Sequence, residues 1–357
     1  MVDFLIVGGG IAGLSAAAHL SDLGRVLLVE AEDRLGYHSS GRSAALYEAE
    51  YGAPATVAVS GASGPDLAAL GVLSPRGLMV VGRVEDADAF ARDAEALKLT
   101  AISSAEAVAK MPILNPAKLA FAAYTETAQN IDTDLLMQIY QRRIRHNGGE
   151  IRANAPVRAL ERLADGWRVT LAGETVTAAR IVNAAGAWSD GIARLAGLPA
   201  IGITPCRRSI AQLPAPGGRD VSGWPMVVSA GETWYAKPEA GKLLVSPADE
   251  DPVEPHDAFS DDMVLAEGLA RYEEMVIEPV TRVETSWAGL RSFSPDRALV
   301  LGPDPLDPAF VWCAGQGGQG FLSAPGAARV LAESMGGPAS GQPQTVMRAL
   351  SPARFAR

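Results

Sequence analysis

From Asp3 to Glu30 the chain reads DFLIVGGGIAGLSAAAHLSDLGRVLLVE. Phe4 to Val7 is a short apolar run of β-formers and predicts a buried strand. Gly8, Gly10 and Gly13 follow at G-x-G-x-x-G spacing, Ile11 to Leu20 predicts a helix, and Val26 to Val29 predicts a second strand ending at Glu30. In such a unit Gly8 permits the tight turn out of the strand, Gly10 lets backbone approach a pyrophosphate, and Gly13 lets the helix lie close on the sheet. The helix start offers free N–H groups and the positive end of its dipole to phosphates. A carboxylate closing the second strand, Glu30, suits the diol of a ribose. The glycine spacing alone is weak. Strand, glycines, helix, second strand and acid in this order predict dinucleotide binding.

The remaining composition narrows the class. A chain of 357 residues can bury a large core and predicts two domains. Hydrophobic residues make up 48% and charged residues 20%, which fits a globular enzyme and not a disordered chain. The net charge of −10 and the lack of a Lys/Arg stripe argue against nucleic acid, because nothing would neutralise its phosphates. No apolar run reaches the ~20 residues of a membrane span. The N-terminal apolar segment lacks a basic leader and is interrupted by glycines, so it is not read as a signal peptide. A peripheral membrane contact stays open. Two cysteines, Cys206 and Cys313, make no disulfide framework and fit a reducing cytoplasm. The four histidines show no metal-ligand spacing, so no metal site is expected.

After Glu30, the stretch from Gly36 to Ser43 is polar and small, suited to a loop whose N–H and hydroxyl groups face a ligand. Gly41-Arg42-Ser43-Ala44-Ala45 is read as opening a helix over the cofactor. Thr56 to Leu70 predicts a helix interrupted near Gly64-Pro65, Leu78 to Gly82 a strand, Ala87 to Leu97 a helix, and Ser104 to Met111 a capped helix stopped by Pro112. A strand at Phe121 to Tyr124 is followed by a helix from Leu135 to His146, capped by Asp132 or Thr133. Alternating residues from Glu150 to Val182 predict a small antiparallel meander, and Ile181 to Gly186 a strand that returns to the nucleotide and ends in small residues. Thr204 to Glu284 predicts an antiparallel sheet with a helix from Asp262 to Met275.

A second glycine-rich loop, Ala314-Gly315-Gln316-Gly317-Gly318-Gln319-Gly320, follows a predicted strand at Val311 to Cys313 and precedes a helix from about Leu322 to Glu333. Two loop-then-helix starts at opposite ends of one chain favour FAD over NAD, since FAD must be held at both its phosphates and its ring. The second helix start would place a positive dipole near a reduced, anionic flavin.

The fingerprint, GYHSSGRSAA, IDTD, VNAAGAW, CRRS, WAGLRSF and GQGGQGF together resemble the FAD-dependent D-amino-acid oxidase/dehydrogenase family over nearly the whole chain, and within it the D-arginine dehydrogenases. The resemblance implies an α/β fold: a Rossmann-like FAD-binding domain of the glutathione-reductase/D-amino-acid-oxidase type with an inserted antiparallel-sheet substrate domain. Residues 1–46, 135–203 and 286–357 would form the former, and 47–134 and 204–285 the latter. It implies non-covalent FAD held by Gly8, Gly10, Ile11, Ala12, Gly13, Glu30, Ala31, Ser40, Gly41, Arg42, Ser43, Ala44, Val157, Ala185, Gly186, Trp188, Arg291, Gly317, Gly318, Gly320 and Phe321. It also implies oxidation of an amine to an imine by hydride transfer to flavin N5, then hydrolysis to a 2-keto acid and ammonia, with oxygen or a quinone as electron acceptor.

By the same resemblance Arg208 and Arg291 clasp the substrate carboxylate, a task suited to the planar guanidinium fork. Tyr235 and Tyr51 surround the carboxylate and amine, and the Gly318 carbonyl can hold the amine. At the substrate positions the chain departs from the family pattern. Leu78 stands where a carboxylate would neutralise an arginine side chain, Leu46 replaces a histidine, Glu48 a threonine, and Gln319 an aromatic. A guanidinium left against Leu78 would be costly, so a D-amino acid with a neutral or hydrophobic side chain is the expected substrate unless Glu48 or Glu50 supplies the missing charge. Oxidation of a secondary amine such as sarcosine, and a non-catalytic FAD-binding redox subunit, are the competing readings.

Overall fold

The computed structural model describes residues 1–355. Strand Val2–Val7 is fully buried over its last four residues, as its apolar run predicts, and sits inside the first of two large sheets. It is parallel to Val26–Val29 on one side and to Thr175–Asn183 on the other. The latter strand has two roles along its length. Thr175 to Ala178 close the antiparallel meander through Ala159–Leu163 and Gly166–Thr170, whereas Ile181 to Asn183 run parallel to Phe310–Ala314. Glu150–Arg152 pairs in parallel with Val26–Val29, and Val300–Pro303 pairs antiparallel with Phe310–Ala314. The polypeptide thus builds this sheet from its beginning, its middle and its end.

One apolar face of the first sheet is covered by helices Ile11–Leu20, Thr133–His146 and Gly320–Ser334. Helix Pro54–Ala69 packs on Gly320–Ser334. The closest approach is at Gly326, where a Cβ would lie 2.5 Å from Val59 O. Helix Pro54–Ala69 runs unbroken through Gly64-Pro65, where an interruption was expected. Pro65 removes only the bond to Gly61, and the surroundings hold the helix on both sides of it. Tyr47 Oη donates to Ser60 O at 3.2 Å, and Ser63 Oγ accepts the Gly326 N–H at 2.9 Å.

The second sheet has the order Thr285–Phe293, Thr204–Leu213, Lys242–Ser246, Tyr235–Glu239, Met226–Ser229, Leu78–Gly82, Phe121–Thr125, Thr100–Ala101. Every pair is antiparallel except Met226–Ser229 with Leu78–Gly82, which is parallel. Residues 286–293, grouped above with the nucleotide-binding part, lie in strand Thr285–Phe293, which pairs along its length with Thr204–Leu213 in this sheet. The sheet obeys the period of two. Met79, Val81, Ala211, Leu213, Val227 and Val245 face a core covered by helix Asp262–Glu273. Their sequence neighbours face the opposite way, toward the first sheet. Among the described residues no helix is long and apolar enough to cross a membrane.

Candidate functional site

The parallel strands Val2–Val7, Val26–Val29, Thr175–Asn183 and Phe310–Ala314 all end at one edge of the first sheet, the edge where open α/β sheets bind ligands. A cavity of about 1000 Å³ lies there, at the upper end of the usual range for ligand pockets. Its remaining wall is the free face of the second sheet, and the two-residue pleat decides which side chains reach it. Leu78 and Val80, Arg208 and Ile210, and Met226 and Val228 alternate with residues turned to the other core, whereas Gly289 and Arg291 alternate with Ala288 and Leu290, which pack in a small cluster with Ala187 and Ala258.

At the nucleotide end Gly8 makes the tight turn and Gly13 the close packing that their spacing predicts. Gly8 has φ +112°, and a Cβ on it would lie 2.4 Å from Ala184 O. A Cβ on Gly13 would lie 1.9 Å from Gly8 O, so helix and loop touch backbone to backbone. Gly10 at the N-cap has no side chain to cap the helix, the Ile11 N–H is taken by Ser40 Oγ at 3.0 Å, and the first turn carries no acid. Glu30 is fixed by two backbone donors, Gly9 N–H to Oε2 at 2.7 Å and Glu32 N–H to Oε1 at 3.0 Å. Gly8, Gly10, Ile11, Ala12, Glu30, Ala31, Ser40, Arg42, Ser43, Ala44, Val157, Ala185, Gly186 and Trp188 line the cavity. A long cleft with a glycine cradle, a helix start free of acid and an oriented carboxylate fits an extended dinucleotide.

Some expectations are corrected here. Gly13 keeps the packing role its spacing predicts but does not line the cavity as Gly8 and Gly10 do. Gly41 makes the turn, its N–H donating to Gly36 O at 2.7 Å, and does not line the cavity. No helix opens at residues 41–45. A short 3-10 turn, Ser39–Arg42, precedes them, because the side chains are committed elsewhere. Ser39 Oγ donates to Leu290 O at 2.7 Å, and Ser40 Oγ accepts the Ile11 N–H at 3.0 Å. The Arg42 guanidinium donates to Ala288 O and Ala258 O and pairs with Asp257. Tyr37 and His38 also line the cleft. They lie in the quoted GYHSSGR segment but had been given no role.

At the other end Arg208 and Arg291 share a face by register. Arg291 is paired with Cys206 and Arg208 with Gly289, so the two arginines are diagonal neighbours across an antiparallel pair. A Cβ on Gly289, which pairs with Arg208, would contact Arg42 Cβ at 3.5 Å and Ser39 Cα at 3.7 Å. The Arg208 guanidinium is 5.9 Å from the Tyr235 ring centroid, and Arg291 Nη1 donates to Tyr51 Oη at 3.4 Å. Arg208, Arg291, Tyr235 and Tyr51 all line the cavity, with Leu46, Glu48, Leu78, Gly317, Gly318, Gly320 and Phe321. The glycine loop is stitched to the arginine strand by the Gly317 N–H, which donates to Ser292 O at 2.9 Å. Gln319 does not reach the cavity. It is buried, and its Nε2 donates to Tyr51 O, so it braces the turn that carries Tyr51.

The two arginines are not equivalent. Arg208 is firmly held, with Nε donating to Asp249 O at 2.8 Å and Nη1 to Glu232 Oε1 at 2.8 Å, while Nη2 reaches Glu250 at 3.5 Å. Arg291 has looser partners, Tyr51 at 3.4 Å and Glu232 at 3.5 Å. Burial works against the charge of Arg291, but Tyr51, Tyr235, Glu232 and Glu250 outweigh it and raise its pKa. Glu232 was absent from the expected site. It sits in the turn between Met226–Ser229 and Tyr235–Glu239 with a left-handed φ of +51°, and no pattern in the sequence signals a non-glycine residue there.

Glu48 is buried on the cavity wall. Its Oε1 accepts the Glu50 N–H at 3.2 Å, while Oε2 has no hydrogen-bond partner. Burial pushes this carboxyl above its ordinary range; the Glu50 N–H opposes the rise, and the Glu50 charge adds to it. Glu50 is held by Lys98 at 2.9 Å. Cys313, buried behind the glycine helix, has its thiol pushed up to about 12 by burial alone.

Comparison with known proteins agrees with this geometry. The chain is 26% identical to the FAD-dependent oxidoreductase domain-containing protein 1 of Bos taurus, over 99% of this chain and 84% of the relative. Its fold matches L-proline dehydrogenase from P. horikoshii with TM-score 0.84, at 20% identity, covering 99% of this chain and 97% of the other. It matches glycine oxidase from Geobacillus kaustophilus with TM-score 0.78, at 23% identity, covering 92% of each chain. Residues 3–334 match the family described as FAD dependent oxidoreductase (DAO), and the protein belongs to that family of FAD-dependent oxidoreductases.

Proposed function

We propose that the protein oxidises the amine of an amino acid whose carboxylate is held by Arg291 with Arg208, giving an imino acid that hydrolyses to a 2-keto acid and ammonia. The observation that carries this reading is the placement of two guanidinium groups on one face of the second sheet, in the same cavity as the dinucleotide cleft. Bound FAD supplies the hydride acceptor, its N5. The protein's share is orientation. Arg291 and Arg208 fix the carboxylate, Tyr51 and Tyr235 bound it laterally, and the Gly318 carbonyl receives the amine. Leu46, Leu78, Val80, Met226 and Val228 provide an apolar wall for the side chain. That wall supports a neutral side chain, and the family resemblance supports the D configuration. Cofactor contacts assigned to the glycine loops, Glu30 and Val157 belong to the same proposal, with FAD bound non-covalently.

Oxidation of a secondary amine such as sarcosine would use the same arginines. The shared fold with an L-proline dehydrogenase supports it as a second reading. Anaerobic mixing with single substrates, followed by flavin absorbance, separates the readings. D-Leu, D-Met and D-Phe are expected to bleach the flavin faster than D-Arg and D-Lys. Faster bleaching by D-Arg overturns the neutral preference, and faster bleaching by N-methylglycine or L-proline favours the second reading. A flavin that no amine reduces overturns amine oxidation. Acid precipitation is expected to release yellow FAD into the supernatant.

A further inference from the structure

The arginine pair already holds a carboxylate. Glu232 Oε1 accepts from Arg208 Nη1 at 2.8 Å and lies 3.5 Å from Arg291 Nη1, so a single oxygen touches both guanidinium groups. Its side chain is 38% exposed and lines the cavity. Two like charges facing each other in a low-dielectric cavity need a counter-ion. Glu232 supplies it without any bound ligand.

The residue is carried by the five-residue turn that joins Met226–Ser229 to Tyr235–Glu239. The turn is built to present it. Gly231 and Glu232 both have left-handed φ, +75° and +51°. Ser229 Oγ accepts the N–H groups of Thr233 and Trp234 at 2.9 and 3.0 Å, and Asp93 accepts the Gly231 N–H at 2.6 Å. A left-handed non-glycine residue is strained and persists only where its surroundings impose it. The backbone at this turn is held by three hydrogen bonds to Ser229 and Asp93, while the carboxylate at its tip is partly exposed in the cavity.

We infer that Glu232 is a tethered competitor for the substrate carboxylate: it occupies the arginine pair in the empty site and must leave for an amino acid to bind, which makes it a specificity-determining residue. This rests on the proposed reading of Arg208 and Arg291 as the carboxylate site. Without a competitor, any small carboxylate would settle on the pair. With it, only a ligand that makes further contacts displaces the bound side chain. The apparent dissociation constant is the intrinsic one divided by the fraction of protein in which the pair is free.

The test uses the FAD-loaded protein and benzoate, a carboxylate with no amine to oxidise, with binding read from the perturbation of the flavin spectrum. Glu232→Gln keeps the size and the turn but removes the charge. Benzoate is expected to bind E232Q about tenfold more tightly than wild type, corresponding to a free fraction of about 0.1. In a wild-type benzoate complex solved by crystallography, Glu232 is expected off the Arg208 guanidinium. Unchanged or weaker benzoate binding in E232Q, or a complex in which benzoate sits on Arg291 with Glu232 still on Arg208, overturns the inference. Arg291→Ala distinguishes the two levels. If it abolishes benzoate binding while E232Q changes nothing, the carboxylate site stands and the competitor falls; if benzoate binds R291A and wild type equally, both fall.

Discussion

The Arg291 guanidinium rests against the backbone of Gly318, where a Cβ would stand 2.9 Å from Arg291 Cζ. This contact joins the glycine loop of the first sheet to the arginine strand of the second. It is what places a cation from one sheet beside the cofactor cleft of the other. A side chain at residue 318 must push Arg291 away, so Gly318→Ala is expected to lower kcat/KM by about a hundredfold, the scale of an ångström-sized misplacement. Flavin content should be unchanged. Steady-state kinetics with the best substrate of the panel checks this; a change within about twofold would show that the contact positions nothing.

The unequal anchoring of the two arginines predicts unequal mutants. Arg291→Ala is expected to raise KM by roughly thirtyfold, the equivalent of about 2 kcal/mol for a charged hydrogen bond, with little change in melting temperature. Arg208→Ala removes a side chain that is only 6% exposed and tied to Asp249 O, Glu232 and Glu250. It should raise KM and also lower the melting temperature. Thermal melts beside kinetics for both variants decide the matter; equal melting temperatures for the two would refute the asymmetry.

Glu48 gives a pH signature. Its folded-state pKa lies above 4.5, raised chiefly by burial. The unfolded chain therefore releases this proton at lower pH than the folded protein does, and stability is lost as pH rises from about 4.5 through the raised value. Glu48→Gln removes a buried, unpartnered charge and is expected to stabilise the protein at pH 8 by on the order of 1 kcal/mol. The gain should fade toward pH 4, where the wild-type carboxyl is already neutral. Denaturation at both pH values is the measurement, and an equal gain at each would rule out titration of Glu48 as the cause.

The glycines of the first turn differ in what replaces them. A Cβ on Gly13 would be 1.9 Å from Gly8 O, a backbone atom, whereas one on Gly10 would meet only Ser40 Oγ, at 3.1 Å. Gly13→Ala must displace the helix and is expected to yield protein without flavin. Gly10→Ala should fold and bind FAD more weakly. The flavin-to-protein absorbance ratio after gel filtration checks both, and a fully yellow G13A would contradict the close packing.

Much of the fold was legible because local chemistry sets it. The Asp132 cap accepts the Leu135 N–H at 2.9 Å, and Ser103 and Glu106 form the expected capping box. The opening run forms strand, helix and strand, the helix and second strand with their expected bounds and the first strand starting two residues earlier, at Val2. Local signals failed where distant residues overrule them. The Gly64-Pro65 pair did not break its helix, because Tyr47 and Gly326 support it from outside. Residues 286–293 were grouped with the nucleotide-binding part but pair in the second sheet, since a strand's own residues do not name its partner.

The site divides in the same way. From the sequence came the nucleotide cradle, read from glycine spacing, and, through the family resemblance alone, the two arginines and two tyrosines that share its cavity. Tertiary structure alone decided that Gln319 braces Tyr51 instead of facing the cavity, that Arg208 is anchored while Arg291 is looser, and that Glu232 bridges them. Each of these depends on which side chains meet across pleated strands and a tight turn far apart in the chain, and that pairing exists only once the two sheets have closed over the cavity.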